Sequence, residues 1–387
     1  MALYKIPNGD VPDTPFYYYD MALLRDTLSC CKSAAKVHDF MVHYAMKANV
    51  EKPILQAIAL AGFGADCVSG WEVEAALGAG FQASDIVFAG VGKSDREMRY
   101  ALENDIFCFN CESLQEIQVL NSIALAAGRK ARIALRLNPD VEPETHKYIA
   151  TGQSESKFGI SFDEVKHALN NLANYSAIEI IGLHFHIGSG ILNFSGFEQL
   201  CAKVNLINDW FAARGVQVKH LNMGGGLGID YQNPDANMVP GFADYFAVFA
   251  AGLHLHGSQK VHFELGRSLV GQCGELVSRV LYTKRTASGE QFIIVDAGMT
   301  ELIRPALYSA HHMIENLTAE ASTEKRPTER YYVGGPICES SDIFAYDVEF
   351  PHSKRGDLLA IRSTGAYGSI MSSHYNLRPT AAAYFSK

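Results

Sequence analysis

From residue 40 to 265 the chain alternates between short apolar runs and longer stretches with apolar residues at helical spacing. The runs predict eight strands that end near residues 47, 68, 89, 110, 138, 186, 222 and 264. Between them we predict helices at 52–62, 71–80, 95–103, 113–127, 162–172, 196–213 and 242–253. This alternation predicts a (β/α)8 TIM barrel. An open doubly wound sheet is the alternative, because spacing alone cannot show closure.

The pattern changes after residue 267. Strand-like runs at 269–282, 291–296, 331–334, 342–348 and 357–362 follow one another with Gly, Asp and Ser between them. They predict a C-terminal β-rich domain, with a barrel-like or sandwich-like sheet, over residues 268–387. The barrel then occupies residues 21–267. The aromatic run 16–19 predicts an N-terminal strand, within residues 1–20, that joins the β-rich domain.

Composition narrows the class of protein. The chain has 387 residues, 48% of them hydrophobic, and a formal net charge of −9. A negative balance argues against non-specific binding to nucleic acid or to anionic membranes. We find no signal-peptide core and no apolar stretch of about 20 residues that would span a bilayer. With eight scattered cysteines, the sequence predicts reduced thiols and a cytoplasmic location.

The pair Cys108 and Cys111 is the only spacing among the cysteines that resembles a metal or redox motif. A single Cys-x-x-Cys without a second pair or nearby histidines is weak evidence for zinc. We interpret both residues as buried thiols of one strand.

Lys47 stands at the end of an apolar run that begins at Phe40. Active sites of such barrels lie at the carboxyl ends of the strands. An amine there is partly removed from water, which disfavours its charged form, and a neutral lysine can form a Schiff base with an aldehyde such as pyridoxal phosphate (PLP). Taken alone, Lys47 is better interpreted as a lysine that merely ends a strand.

Other strand ends carry groups that suit a phosphorylated cofactor. Gly224–Gly226 removes three consecutive Cβ atoms after the seventh strand, where barrels often bind phosphate. Ser189, in the turn Gly188-Ser189-Gly190, offers a second phosphate contact. Asp66 lies at the end of the second strand. Glu264 could pair with a pyridine nitrogen, and Arg267 could bind a phosphate or carboxylate, although each residue taken alone is better interpreted as part of a surface ion pair.

His184 and His186 allow two interpretations. Two positions apart on a strand, they face the same side and could be ligands of a metal-dependent hydrolase. The other interpretation is an imidazole that stacks on a flat cofactor ring. A metal site would need a third ligand from another strand end, and His262 lies inside the last strand instead.

Three later runs look like binding loops: Arg304–Tyr308, Gly335–Asp342 and Gly365–Gly368. Each sets polar or reactive residues among glycines and prolines. By composition alone they could equally be turns.

Together these motifs resemble the fold-type III PLP-dependent amino-acid decarboxylases. The resemblance covers nearly the whole chain, in the family's order and spacing, through residues 44–49, 64–69, 156–159, 184–189, 224–228, 264–267, 304–308, 338–342 and 365–368. One departure is Leu265, where the family usually has proline. It leaves the neighbouring Glu, Gly and Arg in place.

The resemblance implies a PLP-binding barrel plus a β-domain, in a head-to-tail homodimer whose active sites are shared across the interface. It implies that Lys47 forms the Schiff base and that Cys338 donates a proton, reaching in from the partner subunit with Glu339. The implied cofactor-binding residues are Lys47, Asp66, His186, Ser189, Gly224, Gly225, Gly226, Glu264, Gly266, Arg267 and Tyr367. The implied substrate-binding residues are Arg267, Arg304, Tyr308, Glu339 and Tyr367.

The implied reaction is decarboxylation of meso-2,6-diaminopimelate to L-lysine and CO2, the last step of lysine biosynthesis. Arg267 and Arg304 fit a distal carboxylate, which ornithine lacks. Decarboxylases of other basic amino acids or of carboxynorspermidine are the alternatives within the family. A metal-dependent hydrolase that uses His184 and His186 is the alternative of a different class.

Overall fold

The computed structural model describes residues 2–7, 9–141, 157–172 and 174–387. Residue 156, which opens one of the motifs above, lies outside the described residues. The strands are β1 Phe16–Tyr19, β2 Met41–Ala45, β3 Gly64–Cys67, β4 Ile86–Phe88, β5 Cys108–Cys111, β6 Ala131–Arg136, β7 Ile178–His184, β8 His220–Asn222, β9 Lys260–Leu265, β10 Gly274–Arg285, β11 Gln291–Val295, β12 Ile314–Asn316, β13 Thr328–Gly334, β14 Ile343–Pro351, β15 Leu358–Ile361 and β16 Ala382–Phe385. The α-helices are α1 Met21–Val37, α2 Lys52–Leu60, α3 Gly70–Ala79, α4 Asp95–Glu103, α5 Leu114–Ala126, α6 Phe162–Leu172, α7 Ser195–Ala212, α8 Phe242–Gly252, α9 Arg267–Val270, α10 Arg304–Tyr308 and α11 Leu317–Ala321.

Strands β2 to β9 form a closed parallel barrel in chain order. The closing pair is β2 with β9, in a register that sets Tyr44 beside Leu265. The predicted TIM barrel is confirmed, and the open sheet is wrong. Three strands end two residues earlier than predicted, and one of them is β6, which stops at Arg136. Strand β2 stops at Ala45, so Lys47 lies in the following 3-10 turn. Strand β7 stops at His184, so His186 lies two residues beyond it.

The remaining strands form a second sheet in the order β12-β15-β10-β11-β13-β14. Strand β1 pairs antiparallel with β10 and parallel with β16. The predicted β-rich domain is confirmed.

By its internal contacts the chain divides into two units. We call Leu28–Gly228 with Gly241–Gly266 the barrel unit. We call Met1–Thr27, Ile229–Pro240 and Arg267–Lys387 the β unit. This division differs from the predicted boundaries because residues 21–27 and 229–240 group with the β unit.

Local sequence accounts for several helix starts in the barrel unit. Ser69 caps α3 by accepting a hydrogen bond from the Glu72 N–H at 3.2 Å. Ser94 and Glu97 form a reciprocal capping box at the start of α4. Such caps satisfy N–H groups that have no partner within the helix, each worth about 1 kcal/mol. No described helix is both long and apolar enough to cross a membrane.

An aromatic cluster joins helices α7 and α8 to strand β9. Phe197, Tyr245, Phe246, Phe249 and Phe263 are all buried, with ring centroids 4.9–5.6 Å apart in edge-on or tilted pairs. Pairs of this geometry add about 0.5–1.5 kcal/mol each to the burial of their area. The cluster therefore holds the outer helices against the last strand of the barrel.

The three glycines after β8 lie against backbone on both sides. A Cβ at Gly225 would lie well inside van der Waals contact of the Glu264 carbonyl oxygen, and one at Gly226 would be 2.7 Å from the Gly188 carbonyl oxygen. Gly224 and Gly226 also have positive φ, at 69° and 111°. Side chains are excluded here by backbone, so glycine is required for the barrel to close at this point.

Replacing Gly225 by alanine should therefore lower the free energy of unfolding by about 1–3 kcal/mol, as expected when an added group meets packed atoms. The matched control is Gly78→Ala in α3, where a Cβ meets nothing within 4 Å. That variant should be neutral, or more stable by up to about 1 kcal/mol. Urea unfolding of both variants measures the difference. Equal stability of the two would contradict the close approach.

Candidate active site

Lys47 and Asp66 meet inside the barrel unit. The Lys47 Nζ lies 3.3 Å from the Asp66 Oδ2. The lysine side chain is 41% exposed and the aspartate is fully buried. The 3-10 turn after β2 carries the lysine, and β3 carries the aspartate beside it. The amine is thus held at the carboxyl end of the strands, next to an acid that cannot reach water.

Glu264 is buried at the end of β9 and accepts three hydrogen bonds. Asn110 Nδ2 and Asn222 Nδ2 both donate to its Oε1, at 2.9 and 2.7 Å. His184 Nε2 donates to its Oε2 at 3.0 Å. We call these four residues the carboxylate cage. Burial opposes ionisation of Glu264, but His184 and, further off, the charge of Lys47 hold its pKa below the ordinary value.

The same environment shifts the pKa of Asp66 in the opposite direction, upward. Burial and then the charge of Glu264 raise its pKa to about 8, and these outweigh the attraction of Lys47. At neutral pH much of the Asp66 population therefore keeps its proton, so its contact with Lys47 is not a full ion pair. Two acids in one cluster are held in different protonation states by burial and by hydrogen bonds.

His186 lies next to Gly224–Gly226, which we call the glycine loop. The Gly225 N–H donates to its Nδ1 at 3.3 Å, so the remaining hydrogen of the neutral ring is on Nε2. Burial, then the charges of Arg136 and Lys47, lower the pKa of His186 well below its usual range. A neutral, oriented imidazole follows.

Two N–H groups of the glycine loop already donate hydrogen bonds within the barrel unit. The Gly224 N–H donates to Asn222 Oδ1 at 2.9 Å, and the Gly225 N–H is the one bound to His186. Ser189 lies, partly buried, between Gly188 and Gly190, both with positive φ. A Cβ at Gly266 would be 3.1 Å from the Cβ of Ala45 and of Ala48, the residues that flank the Lys47 turn. Gly266 therefore lets β9 pack closely against that turn.

The β unit contains a second polar group, which we call the arginine cluster: Arg267, Arg304, Tyr231 and His312. Both guanidinium groups are buried. The Nη1 atoms of Arg267 and Arg304 lie 2.7 and 2.8 Å from the same Tyr231 hydroxyl oxygen. Arg267 also lies 4.8 Å from the centre of the Tyr367 ring. Tyr308 ends the same short helix, α10, that Arg304 begins.

Cys338 and Glu339 are exposed on a loop of the β unit. Asp342 holds this loop by accepting from the Met299 N–H at 2.6 Å and the Ile337 N–H at 2.8 Å. The Cys338 N–H donates to Asn376 Oδ1, and Tyr375 donates to Glu339. These hydrogen bonds anchor the backbone of the loop, while the side chains of Cys338 and Glu339 are exposed.

The chain is similar to a family of known proteins over its whole length. Residues 24–271 match the model of the pyridoxal-dependent decarboxylases, pyridoxal binding domain. A diaminopimelate decarboxylase of Bacteroides thetaiotaomicron is 51% identical over 100% of this chain and 98% of its own. The chain belongs to the diaminopimelate decarboxylase family. A crystal structure of this family from Helicobacter pylori, complexed with L-lysine, superposes with a TM-score of 0.90 at 37% identity, covering 97% of this chain and 92% of that one.

Membership of this family decides against the metal-dependent hydrolase. His184 donates a hydrogen bond from Nε2 to Glu264, and His186 accepts one from the Gly225 N–H. His262 bonds His43 and His220 inside the barrel, each at 2.9 Å. Among the residues described, no group of three or more His, Cys, Asp or Glu side chains could hold a metal ion.

Sequence reasoning placed Asn110 and Asn222 only as strand ends and did not assign them to the site. It also missed Tyr231 and His312. A weak signal existed for the asparagines, since amides at two strand ends of one barrel converge on its axis. No comparable signal marked Tyr231, which lies in the segment between β8 and α8.

The pKa of Asp66 predicts a pH dependence of stability for the cofactor-free protein. Its folded-state pKa of about 8 lies above the ordinary value of 3.8, so the folded state binds the proton more tightly. Stability from this group is complete below pH about 4 and is lost as pH rises through about 8. Relative to Asp66→Asn, the free energy of unfolding should fall over that window in urea titrations at successive pH values. A parallel pH dependence of the two proteins would refute the raised pKa.

Proposed function

We propose that this protein removes the carboxylate at the D-centre of meso-2,6-diaminopimelate, giving L-lysine and CO2, with PLP held in the barrel unit. The observation that carries the proposal is the full-length identity of 51% to a diaminopimelate decarboxylase. The L-lysine in the Helicobacter pylori relative supports the same product here. The carboxylate cage and the arginine cluster supply the chemistry that this reaction needs.

The residues of the barrel unit fit PLP. Asp66 Oδ1 and His184 Nδ1 are buried without a hydrogen-bond partner among the described residues, which marks a polar region built for a further group. The backbone at Gly224–Gly226 has no Cβ to obstruct a phosphate. Glu264 is held ionised, as a partner of a protonated pyridine nitrogen must be. When bound, PLP accepts the electrons released as the substrate's carboxylate leaves.

Each residue of the barrel unit then has a distinct task. Lys47 would hold the aldehyde carbon, and the neutral face of His186 would lie on the ring. Glu264 would keep the ring nitrogen protonated. The phosphate would be bound by Ser189 and the glycine loop, chiefly through Gly226, because the N–H groups of Gly224 and Gly225 already donate within the barrel.

The residues of the β unit would bind substrate. Arg267 and Arg304 suit the distal carboxylate. Tyr308, which ends α10, and Tyr367, whose ring lies 4.8 Å from the Arg267 guanidinium carbon, would also contact the substrate, and Tyr367 would contact the cofactor as well. This pair of cations favours diaminopimelate over ornithine, which has no second carboxylate.

Cys338 would return a proton to the α-carbon, with Glu339 next to it. We propose that these two residues act in the site of a partner subunit within a homodimer, because both are exposed on a well-anchored loop. The eight free cysteines, two of them exposed, favour a location in the reducing cytoplasm.

The purified protein loaded with PLP should release CO2 from meso-diaminopimelate faster than from ornithine or L-lysine by orders of magnitude. Lys47→Ala should lose the visible absorbance of bound PLP together with turnover, because the amine that holds the aldehyde is gone. Lys52→Ala, at an exposed lysine that begins α2, is the control and should keep both. Equal turnover of ornithine by the unmodified protein would refute the substrate proposal.

Cys338→Ala should keep PLP and its absorbance but lose most turnover, because only the proton donor is removed. Mixed dimers of Cys338→Ala with Lys47→Ala chains should regain part of the activity, since one of their two sites has both groups intact. Cys30→Ala, at the other exposed cysteine, should behave as wild type. Inactive mixed dimers, verified by mass, would count against a shared site.

A further inference from the structure

Two buried cations share a single acceptor in the β unit. Arg267 and Arg304 both direct Nη1 at the Tyr231 hydroxyl oxygen, at 2.7 and 2.8 Å. The two Nη1 atoms are therefore no further apart than the sum of these two distances. Like charges this close repel, more strongly because water is excluded. A common acceptor with partial negative charge offsets part of that repulsion.

The tyrosine ring contributes as well as its oxygen. The Arg304 guanidinium carbon lies 4.7 Å from the centre of the Tyr231 ring, and that of Arg267 lies 5.9 Å away. Burial raises the pKa of the Tyr231 phenol, yet the two neighbouring cations bring it below the ordinary value of 10.0. This direction shows how strongly both charges act on one oxygen.

His312 accepts the second hydrogen of Arg304 Nη1. Its Nε2 lies 2.9 Å from Arg304 Nη1, and a guanidinium can only donate, so Nε2 accepts. Its Nδ1 must then carry the hydrogen, which it donates to the Arg362 carbonyl oxygen at 2.8 Å. Burial, then the charge of Arg304, lowers the pKa of His312 to about 3, so the ring adds no third positive charge.

Both hydrogens of Arg304 Nη1 are thus committed, one to Tyr231 and one to His312. Neither acceptor is a carboxylate. The guanidinium is held in one orientation, and no carboxylate among the described residues forms an ion pair with it, so its positive charge can attract an anion from outside the protein. The neighbouring Arg362 contrasts with it, since Asp235, Glu275 and Glu315 all lie within 3.4 Å of its guanidinium nitrogens.

We infer that Tyr231 is a positioning residue that sets the spacing of Arg267 and Arg304 for the distal carboxylate of the substrate, and so selects substrates that carry it. The inference rests on the proposed function for the identity of that carboxylate. An arginine side chain loses rotamer entropy when it is fixed, and here the hydrogen bonds to Tyr231 and His312 fix it before the substrate binds. The distal carboxylate does not change during the reaction, so the gain in binding free energy is equal in the ground state and the transition state. It should appear in KM and not in kcat.

Tyr231→Phe removes one oxygen and keeps the ring, and it is tested in the PLP-loaded protein with two ligands. L-Lysine keeps the distal carboxylate, and 1,5-diaminopentane is the same chain without it. By calorimetry the variant should bind L-lysine at least tenfold more weakly, with less than a twofold change for 1,5-diaminopentane. The KM for meso-diaminopimelate should rise by a similar factor, with kcat within twofold of wild type.

Matched variants separate positioning from folding. Tyr346→Phe removes an exposed hydroxyl of the same unit and should change neither affinity. His312→Gln, which can still accept from Arg304 and donate to the Arg362 carbonyl, should retain more L-lysine affinity than His312→Leu. Thermal unfolding verifies that each variant is folded.

Equal weakening of both ligands by Tyr231→Phe, or no change in either, would overturn the inference. Failure of the proposed function has a different outcome: the unmodified protein would release no CO2 from meso-diaminopimelate. The ratio of the two calorimetric affinities does not depend on turnover, so it still decides the role of Tyr231 in that case.

Discussion

The arrangement of the barrel unit depends on keeping the carboxylate of Glu264 ionised away from water. A buried, unpaired carboxylate costs several kcal/mol, and here three donors on three different strands offset that cost. Asn110, His184 and Asn222 converge only when β5, β7 and β8 are all in register with β9. Formation of the carboxylate cage therefore requires these four strands to be paired within the closed barrel.

The same burial separates the two acids of the cluster. Glu264 accepts three hydrogen bonds and stays charged. Asp66 is in contact with the Lys47 amine and keeps its proton up to pH about 8. The charge of Glu264 itself contributes to the raised pKa of Asp66. A fixed anion beside a proton-holding acid and an amine gives this region groups for charge stabilisation and for proton transfer within one cluster.

The β unit holds two buried cations, Arg267 and Arg304, close together. A phenol accepts from both arginines and a neutral imidazole accepts from Arg304, so these contacts orient the guanidinium groups. In both units the partners of a charged group come from distant parts of the chain. Their hydrogen bonds limit the freedom of that group to move before a ligand binds.

Sequence periodicity by itself determined the number of barrel strands and the position of the β-rich region, because local alternation of apolar residues sets the type of each element. The residue pattern also located Lys47, Asp66, Glu264 and the glycine loop, since special chemistry or a missing Cβ is visible in the sequence. Only the tertiary structure decided that Asn110 reaches Glu264, 154 residues away, and that Tyr231 joins two arginines. Such contacts depend on strand register and on the path of a connecting segment, which the sequence pattern of each element does not contain.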